Sequence, residues 1–173
     1  MFKVFFAEWR KLRRPTLFFG TFLAALFFNG LVTSFAYLMI DSPDGNGDRG
    51  RVITREMLAL PGGSVHTFAS IGGLLGTIVL CVFAAQTAQE YTYGTLRNLL
   101  VRQPRRLVLL AGKFAAMKTF ALILVVINAA VSIAISLYLS DRAKVTTDLW
   151  FTSDGWSAIG HTLINVYISV VFY

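Results

Sequence analysis

Four long stretches without a charged side chain constrain the fold of this chain more than any other feature. A bilayer core of about 30 Å needs roughly 20 mostly apolar helical residues to cross it. The uncharged stretches reach that length and lie at residues 16–40, 61–89, 119–140 and 155–173. Within them we place spans at residues 16–40, 64–89, 119–140 and 156–173. The sequence therefore predicts an all-α, polytopic helical membrane protein with about four transmembrane helices in this chain.

The composition agrees with a membrane protein. Of the 173 residues, 55% are hydrophobic and only 14% are charged, whereas about a quarter of a soluble domain is charged. The first uncharged stretch is longer than the apolar region of a signal peptide, so we interpret it as a retained span. The single cysteine, Cys81, excludes an intrachain disulfide and a thiolate metal cluster within one chain.

The distribution of Lys and Arg predicts the orientation in the membrane. Eleven of the 16 basic residues lie in residues 1–15 and 90–118, and the remainder lie in residues 41–63 and 141–155. Because cytoplasmic loops are enriched in Lys and Arg, we expect a cytoplasmic N-terminus, a cytoplasmic loop at 90–118 and two external loops. The net charge of +7 then reflects orientation and contact with lipid headgroups. No nucleic-acid recognition motif accompanies it, so we expect no nucleic-acid partner.

The first 15 residues have the pattern of an amphipathic helix in the membrane interface. Phe2, Phe5, Trp9 and Leu12 follow helical spacing, with basic residues between them. Pro15 separates this segment from the first span, because its ring disfavours helix at the residue before it. We therefore divide the chain into an interfacial helix, residues 1–15, and a transmembrane domain, residues 16–173.

The cytoplasmic loop contains a short segment with its own start and stop, EYTYGTLRNLLVRQPRR at residues 90–106. Gly94 can take the left-handed conformation that ends a helix, and Thr95 can cap the next one. From Leu96 onward, apolar and basic residues fall on different faces, and Pro104 ends the pattern. The sequence predicts a short, two-faced cytoplasmic helix, although an ordinary basic loop that obeys the positive-inside rule is an equal alternative.

Small and polar residues inside the spans suggest where helices pack. Gly72 and Gly76 are four residues apart and permit a close helix approach, either within the chain or between subunits. Asn29 and Asn128 are polar residues at membrane depth. They indicate either hydrogen bonds between helices or a substrate path.

Motifs for catalysis and for nucleotide or metal binding are missing from the sequence. It contains neither a GxxxxGK[ST] phosphate loop nor a GxGxxG fingerprint, and it has no HExxH pair. We therefore expect no enzyme activity, no catalytic residue, and no cofactor or metal site in this chain. An energy-coupled activity would require a partner subunit.

The loop at residues 90–106 also resembles part of a known protein family. The sequence EYTYGTLRNLL, followed by PRR at 104–106 and LAGK at 110–113, resembles the loop after the second span in permease subunits of type-two ABC exporters. EWRKL at 8–12 is similar to the N-terminal segment of that family. The resemblance implies a coupling helix that docks on a separate ABC ATPase subunit, which binds ATP and Mg. It also implies a second permease subunit, forming a homodimer or heterodimer around a translocation path.

Carried over by position, the resemblance assigns an ATPase-contacting coupling loop, with Gly94 and Thr95 shaping its bend. Two alternatives stay open for Glu90, which either contacts the ATPase or pairs with a basic residue at the base of its span. Asn29 and Asn128 are candidates for the translocation path. The residues assigned to the coupling loop are Glu90, Tyr93, Gly94, Thr95, Leu96, Arg97, Leu100 and Arg102.

The family implies six spans in a full-length member, whereas this chain has four and ends in an apolar run. We expect either a fragment of a six-span subunit or a shortened relative. The leading hypothesis is a permease subunit in the bacterial inner (plasma) membrane that couples ATP hydrolysis by its partner to export. The alternative is a small membrane binding, immunity or assembly protein without transport. The sequence does not distinguish a drug, a lipid or a peptide as substrate.

Overall fold

Helices form the regular structure in the described part of the chain, residues 2–38, 40, 54–94 and 106–172 of a computed structural model. No strand occurs among these residues, and the predicted all-α fold is confirmed. The predicted short helix of the cytoplasmic loop falls on residues 95–105, which lie outside the described residues. The helices are α1 (Phe2–Leu12), α2 (Pro15–Leu38), α3 (Arg55–Ala59), α4 (Gly63–Ser70), α5 (Gly72–Thr92), α6 (Arg106–Ala143) and α7 (Ser153–Phe172).

Four of these helices are long and apolar enough to cross a membrane, which confirms the predicted polytopic architecture. They are α2, α5, α7 and the 37 residues Leu107–Ala143 of α6, the last with the highest mean hydropathy, 2.6. Helix α6 begins well before the uncharged stretch at 119–140, so Lys113 and Lys118 lie on the helix itself. The α1 end of the bundle, as we call it, contains α1, the start of α2, the end of α5 and the start of α6.

The second uncharged stretch forms two helices, α4 and α5, that meet at Ile71. Ile71 has a ψ angle of 0°, and its N–H donates to the Phe68 carbonyl at 3.2 Å, three residues back. This tighter turn, followed directly by Gly72, separates the two helices. The predicted span at 64–89 therefore contains a helix break that the absence of charge does not reveal.

Helix α6 lies at the centre of the bundle and contacts α1, α2, α4, α5 and α7. Aromatic rings fill the contact between α2 and α6, where Phe22 lies 4.3 Å from Phe18 and 5.9 Å from Phe120, centroid to centroid. The outer face of α2 instead exposes apolar side chains at every fourth position. Because lipid tails solvate apolar side chains, such a face suits contact with lipid or with another membrane subunit. These exposed residues are Phe19, Leu23, Phe27, Leu31 and Phe35.

At the end of the bundle opposite to α1, a buried tryptophan joins the two connections between spans. Trp150 is 1% exposed, and its indole Nε1–H donates to the backbone carbonyl of Leu58 at 2.9 Å. Leu58 lies in the short helix α3, which Thr54 caps by accepting from the Met57 N–H at 3.3 Å. This contact fixes α3 against the segment between α6 and α7.

Helix α1 lies against the first turns of α6 at a glycine. A methyl group added at Gly112 would lie 2.7 Å from Cγ1 and 2.9 Å from Cβ of Val4. Carbon atoms do not approach this closely, so the two helices can touch here only because residue 112 has no side chain. The close approach holds α1 on the bundle.

We expect the substitution Gly112→Ala to lower the free energy of unfolding by about 1 kcal/mol, because overpacking outweighs the gain in helix propensity. The matched control is Gly160→Ala in α7, where an added methyl group would meet nothing within 4 Å. That control should gain up to about 1 kcal/mol from helix propensity alone. Unfolding in detergent micelles measures both effects, and a gain at both positions would contradict the close contact.

Candidate functional site

Glu90 lies at the α1 end of the bundle, two residues before α5 ends. Helix α5 finishes at Thr92, and the Tyr93 N–H donates to the Gln89 carbonyl at 3.0 Å. Gly94 follows with a φ of 63°, the left-handed conformation that the sequence predicts for it. The chain therefore turns sharply just after Glu90, at the point where the predicted coupling segment begins.

The Glu90 carboxylate is held between lysines from two other helices. Lys113 Nζ of α6 lies 2.6 Å from Glu90 Oε2, and Lys11 Nζ of α1 lies 2.9 Å from Glu90 Oε1. Lys11 also contacts Glu8 Oε1 at 2.7 Å within α1. We refer to Glu8, Lys11, Glu90 and Lys113 as the Glu90 cluster, which joins the ends of α1, α5 and α6.

The charges of the Glu90 cluster balance, which explains how it can be buried. Glu8 and Glu90 are only 6% and 7% exposed, and a carboxylate removed from water is costly unless it is paired and hydrogen-bonded. Each of these carboxylates accepts at least one short, charge-assisted hydrogen bond from a lysine. Among these four residues, two acids face two bases, and their charges cancel.

The environment of Lys11 keeps its ammonium charged. Burial alone would lower the pKa of Lys11, but hydrogen bonds to Glu8 and Glu90 outweigh it and raise the pKa above the ordinary value of 10.5. A group whose pKa is raised by folding adds stability below its unfolded pKa and loses that contribution as the pH rises through the folded value. The ion pairs of Lys11 therefore persist throughout the physiological pH range.

The structure brings Glu90, Tyr93 and Gly94 of the predicted coupling loop to one end of the bundle. Tyr93 and Gly94 are exposed there, in contrast to Glu90. Of the two alternatives for Glu90, the pairing with basic residues at the base of its span is present. The other residues assigned to the loop lie outside the described residues: Thr95, Leu96, Arg97, Leu100 and Arg102.

Sequence reasoning missed Lys11 and Lys113 as the partners of Glu90. A signal for the pairing was present, since Glu8 and Glu90 are the only acidic residues in residues 1–40 and 61–140. Two acids among eleven bases on one side of a membrane have many possible partners. Burial of both acids requires such pairs, but nothing in the sequence selects two lysines from the eleven bases.

At membrane depth, polar side chains join α2, α4 and α6. Asn29 Nδ2 donates to the Asn128 backbone carbonyl at 2.7 Å, and Thr33 Oγ1 donates to Asn29 Oδ1 at 3.3 Å. The hydroxyl of Ser132 lies 3.5 Å from those of Thr33 and Thr67. We call these five residues the polar seam. All five are buried, and the Asn29 side chain makes the hydrogen bond between helices that the sequence indicated, with the backbone of Asn128 as acceptor. The Asn128 side chain instead donates to the Leu124 carbonyl within α6 at 2.9 Å.

The glycine pair in α5 faces another helix of the same chain. Gly72 and Gly76 are both buried. A methyl group added at Gly72 would lie 3.6 Å from both methyl groups of Val166 in α7. The close approach at Gly72 is therefore made within the chain.

The chain is a multi-pass helical membrane protein in which some buried polar side chains form hydrogen bonds between helices. A family model described as ABC-2 family transporter protein matches residues 4–173, so the chain belongs to this family. It is a membrane domain of an ABC transporter, that is, a permease subunit, and the family implies an ABC ATPase subunit as its partner.

Other comparisons add no relative, because neither a curated protein nor a solved structure matches the chain. Members of the family are membrane components and generally not catalytic themselves. Among the described residues, no group of three or more His, Cys, Asp or Glu side chains is arranged to hold a metal ion.

The pair formed by Glu90 and Lys113 is expected to show energetic coupling in a double-mutant cycle. Combining Glu90→Gln with Lys113→Met should cost less than the sum of the single changes, by about 1–3 kcal/mol for a buried, charge-assisted hydrogen bond. Unfolding in mixed micelles measures each variant. The control cycle replaces Lys113→Met by Lys118→Met, since Lys118 is exposed. Additive effects in both cycles would contradict the ion pair.

In the polar seam, Asn29→Ala should lower the free energy of unfolding by about 1 kcal/mol, a typical value for a hydrogen bond between membrane helices. Asn165→Ala is the matched control, because Asn165 is exposed on α7. The control should change stability by less than about 0.5 kcal/mol. Equal losses for the two variants, measured by unfolding in micelles, would show that the seam adds nothing specific.

Proposed function

We propose that this chain is the permease subunit of an ABC exporter and couples ATP hydrolysis by a separate ATPase subunit to the export of a substrate. Family membership supports the role as a permease, and the resemblance of the loop to type-two exporters supports the direction of transport. The observation that carries the coupling role is the Glu90 cluster. In this proposal ATP and Mg are bound by the ATPase, and this chain contributes no catalytic group.

The cluster closes the base of the predicted coupling segment. Glu90 precedes residues 95–105 on α5, Lys113 follows them on α6, and their side chains meet at 2.6 Å. Both ends of the segment are therefore joined to each other, and Lys11 joins them to α1. A force applied to the segment by a docked ATPase would move α1, α5 and α6 together instead of deforming the loop.

The charge distribution supports the proposed orientation. The described residues at the α1 end of the bundle belong to the two strongly basic segments of the sequence, residues 1–15 and 90–118, and this favours the cytoplasmic side of a bacterial plasma membrane. ATP is available on that side, so the ATPase would dock where α5 ends and α6 begins. A second permease subunit, identical or different, would complete a translocation path between the two membrane domains, with Asn29 and Asn128 as candidates for its lining.

The proposal separates docking from transmission, and two substitutions test the two steps. Arg97→Glu should weaken binding of the ATPase about tenfold or more, because it reverses a charge at the proposed contact. Glu90→Gln should leave that binding unchanged and reduce the ATP-driven movement of the permease. Binding is measured by co-purification with the cognate ATPase and by titration.

Movement can be followed through a fluorophore on Cys81, which is exposed and is the single cysteine of the chain. The permease is labelled before the ATPase is added, and the change in emission on addition of ATP is recorded. Glu56→Gln, an exposed acid in α3, is the control and should behave like the unmodified protein. If Arg97→Glu binds normally and Glu90→Gln responds normally to ATP, the coupling role is wrong.

A further inference from the structure

Two cavities lie between α2 and α5, one polar and one apolar, and we refer to them together as the groove. At the α1 end it opens into a cavity of about 550 Å³, whose wall includes Lys11, Arg14, Leu17, Gln86 and Glu90. Farther along the same two helices lies a second cavity of about 670 Å³, whose wall is almost entirely apolar. The second cavity is lined by Gly20, Ala24 and Phe28 of α2 and by Leu74, Ile78 and Val82 of α5.

The polar cavity contains hydrogen-bond donors without partners among the described residues. Gln86 is only 8% exposed, yet its amide makes no hydrogen bond within the described part of the chain. Gln86 lines this cavity, so a ligand or water within it can satisfy the amide. Arg14 also lines this cavity, and its guanidinium carries five N–H donors. Lys11 directs two of its three N–H groups to Glu8 and Glu90, which leaves one donor.

The electrostatics of the polar cavity favour an anion. The charged residues named in the wall are Lys11, Arg14 and Glu90, two bases and one acid. Helix α2 begins directly after Arg14, and the N–H groups of Thr16 and Leu17 have no acceptor within the helix. The positive end of the helix dipole therefore lies beside the same wall. A phosphate group matches this set of donors better than a neutral or cationic group.

The dimensions of the groove match a lipid. From Leu17 in the polar cavity to Phe28 at the far side of the apolar one, α2 rises about 16 Å. One leaflet of the hydrocarbon core is about 15 Å thick. Arg14 directly precedes the uncharged stretch that begins at residue 16, which places its guanidinium at the depth of headgroups. The polar and apolar parts of the groove thus have the order and the length of one phospholipid.

We propose that this groove binds one anionic phospholipid. Its phosphate lies in the polar cavity, within reach of Arg14, Lys11 and Gln86, and one acyl chain follows the groove past Gly20. The bound lipid connects the corner between α1 and α2 to the end of α5. This role is independent of transport, so it stands or falls separately from the proposed function.

Gly20 allows the acyl-chain part of the groove to be blocked without disturbing the bundle. A methyl group added at Gly20 would meet nothing within 4 Å, so Gly20→Leu fills open space. Gly160→Leu in α7 is the matched control, since Gly160 is equally unobstructed and lies outside the groove. For the headgroup, Arg14→Gln removes the charge, and Arg13→Gln is the control at an exposed neighbour that does not line the cavity.

The experiment titrates the purified full chain in detergent with phosphatidylglycerol and follows the rise in the thermal unfolding midpoint. We expect saturable stabilisation, with apparent affinity reduced about tenfold by Arg14→Gln, the loss expected for a charged hydrogen bond. Gly20→Leu should weaken it similarly by occupying the path of the acyl chain. Arg13→Gln and Gly160→Leu should bind as the unmodified chain does.

Four other outcomes would overturn the proposal. Equal stabilisation by phosphatidylcholine would exclude selection of an anionic headgroup. The full effect from inorganic phosphate would assign the cavity to a free anion without an acyl chain. Unchanged affinity in both Arg14→Gln and Gly20→Leu would place the lipid elsewhere. Concentration-dependent dimerisation that is lost in Gly20→Leu would assign the groove to a second copy of the chain.

Discussion

The contact of the Glu90 carboxylate with Lys11 and Lys113 is the interaction on which the α1 end of the structure depends. Three helix ends converge there, and each contributes a charge that the low-polarity surroundings would not tolerate alone. The α1 helix is 11 residues long, too short to be stable in water by itself, and its place on the bundle depends on tertiary contacts. The close approach at Gly112 and the cluster supply those contacts together, one by shape and the other by charge.

The membrane-spanning part is held together by different interactions, because burial of apolar surface does not drive helices together in lipid. Helix α2 shows this separation, with its polar Asn29 and Thr33 turned inward and large apolar side chains such as Phe19 and Phe27 turned outward. Tight packing and hydrogen bonds in the polar seam hold α2 to α6, while the outer face is left for lipid or another subunit. A soluble helix would reverse this arrangement.

The architecture was accessible from the sequence because span length and the absence of charge are strong local signals. The helix break at Ile71 was not predictable from the sequence, since it depends on a backbone turn between the two equally apolar halves of the second uncharged stretch. Gly94 was predictable in conformation because only a few residues tolerate a positive φ after a helix. The partners of Glu90 were not predictable from the sequence, because Lys11 lies 79 positions away and Lys113 lies 23 positions away in the chain. Pairing over such separations is set by how helices cross, which charge counts do not encode.

Lys11 belongs to two environments at once, and this shared position links them. Its ammonium contacts Glu90 in the cluster and also forms part of the wall of the polar cavity. An anion placed in that cavity would attract Lys11, so the strength of the Lys11–Glu90 contact and the occupancy of the cavity cannot be independent. Linkage makes this influence reciprocal: whatever changes the geometry at Glu90 also changes the affinity of the cavity for an anion. Movement of α5 by a docked partner would therefore change the affinity of the cavity for an anion. In turn, the surrounding lipid would bias the position of α5.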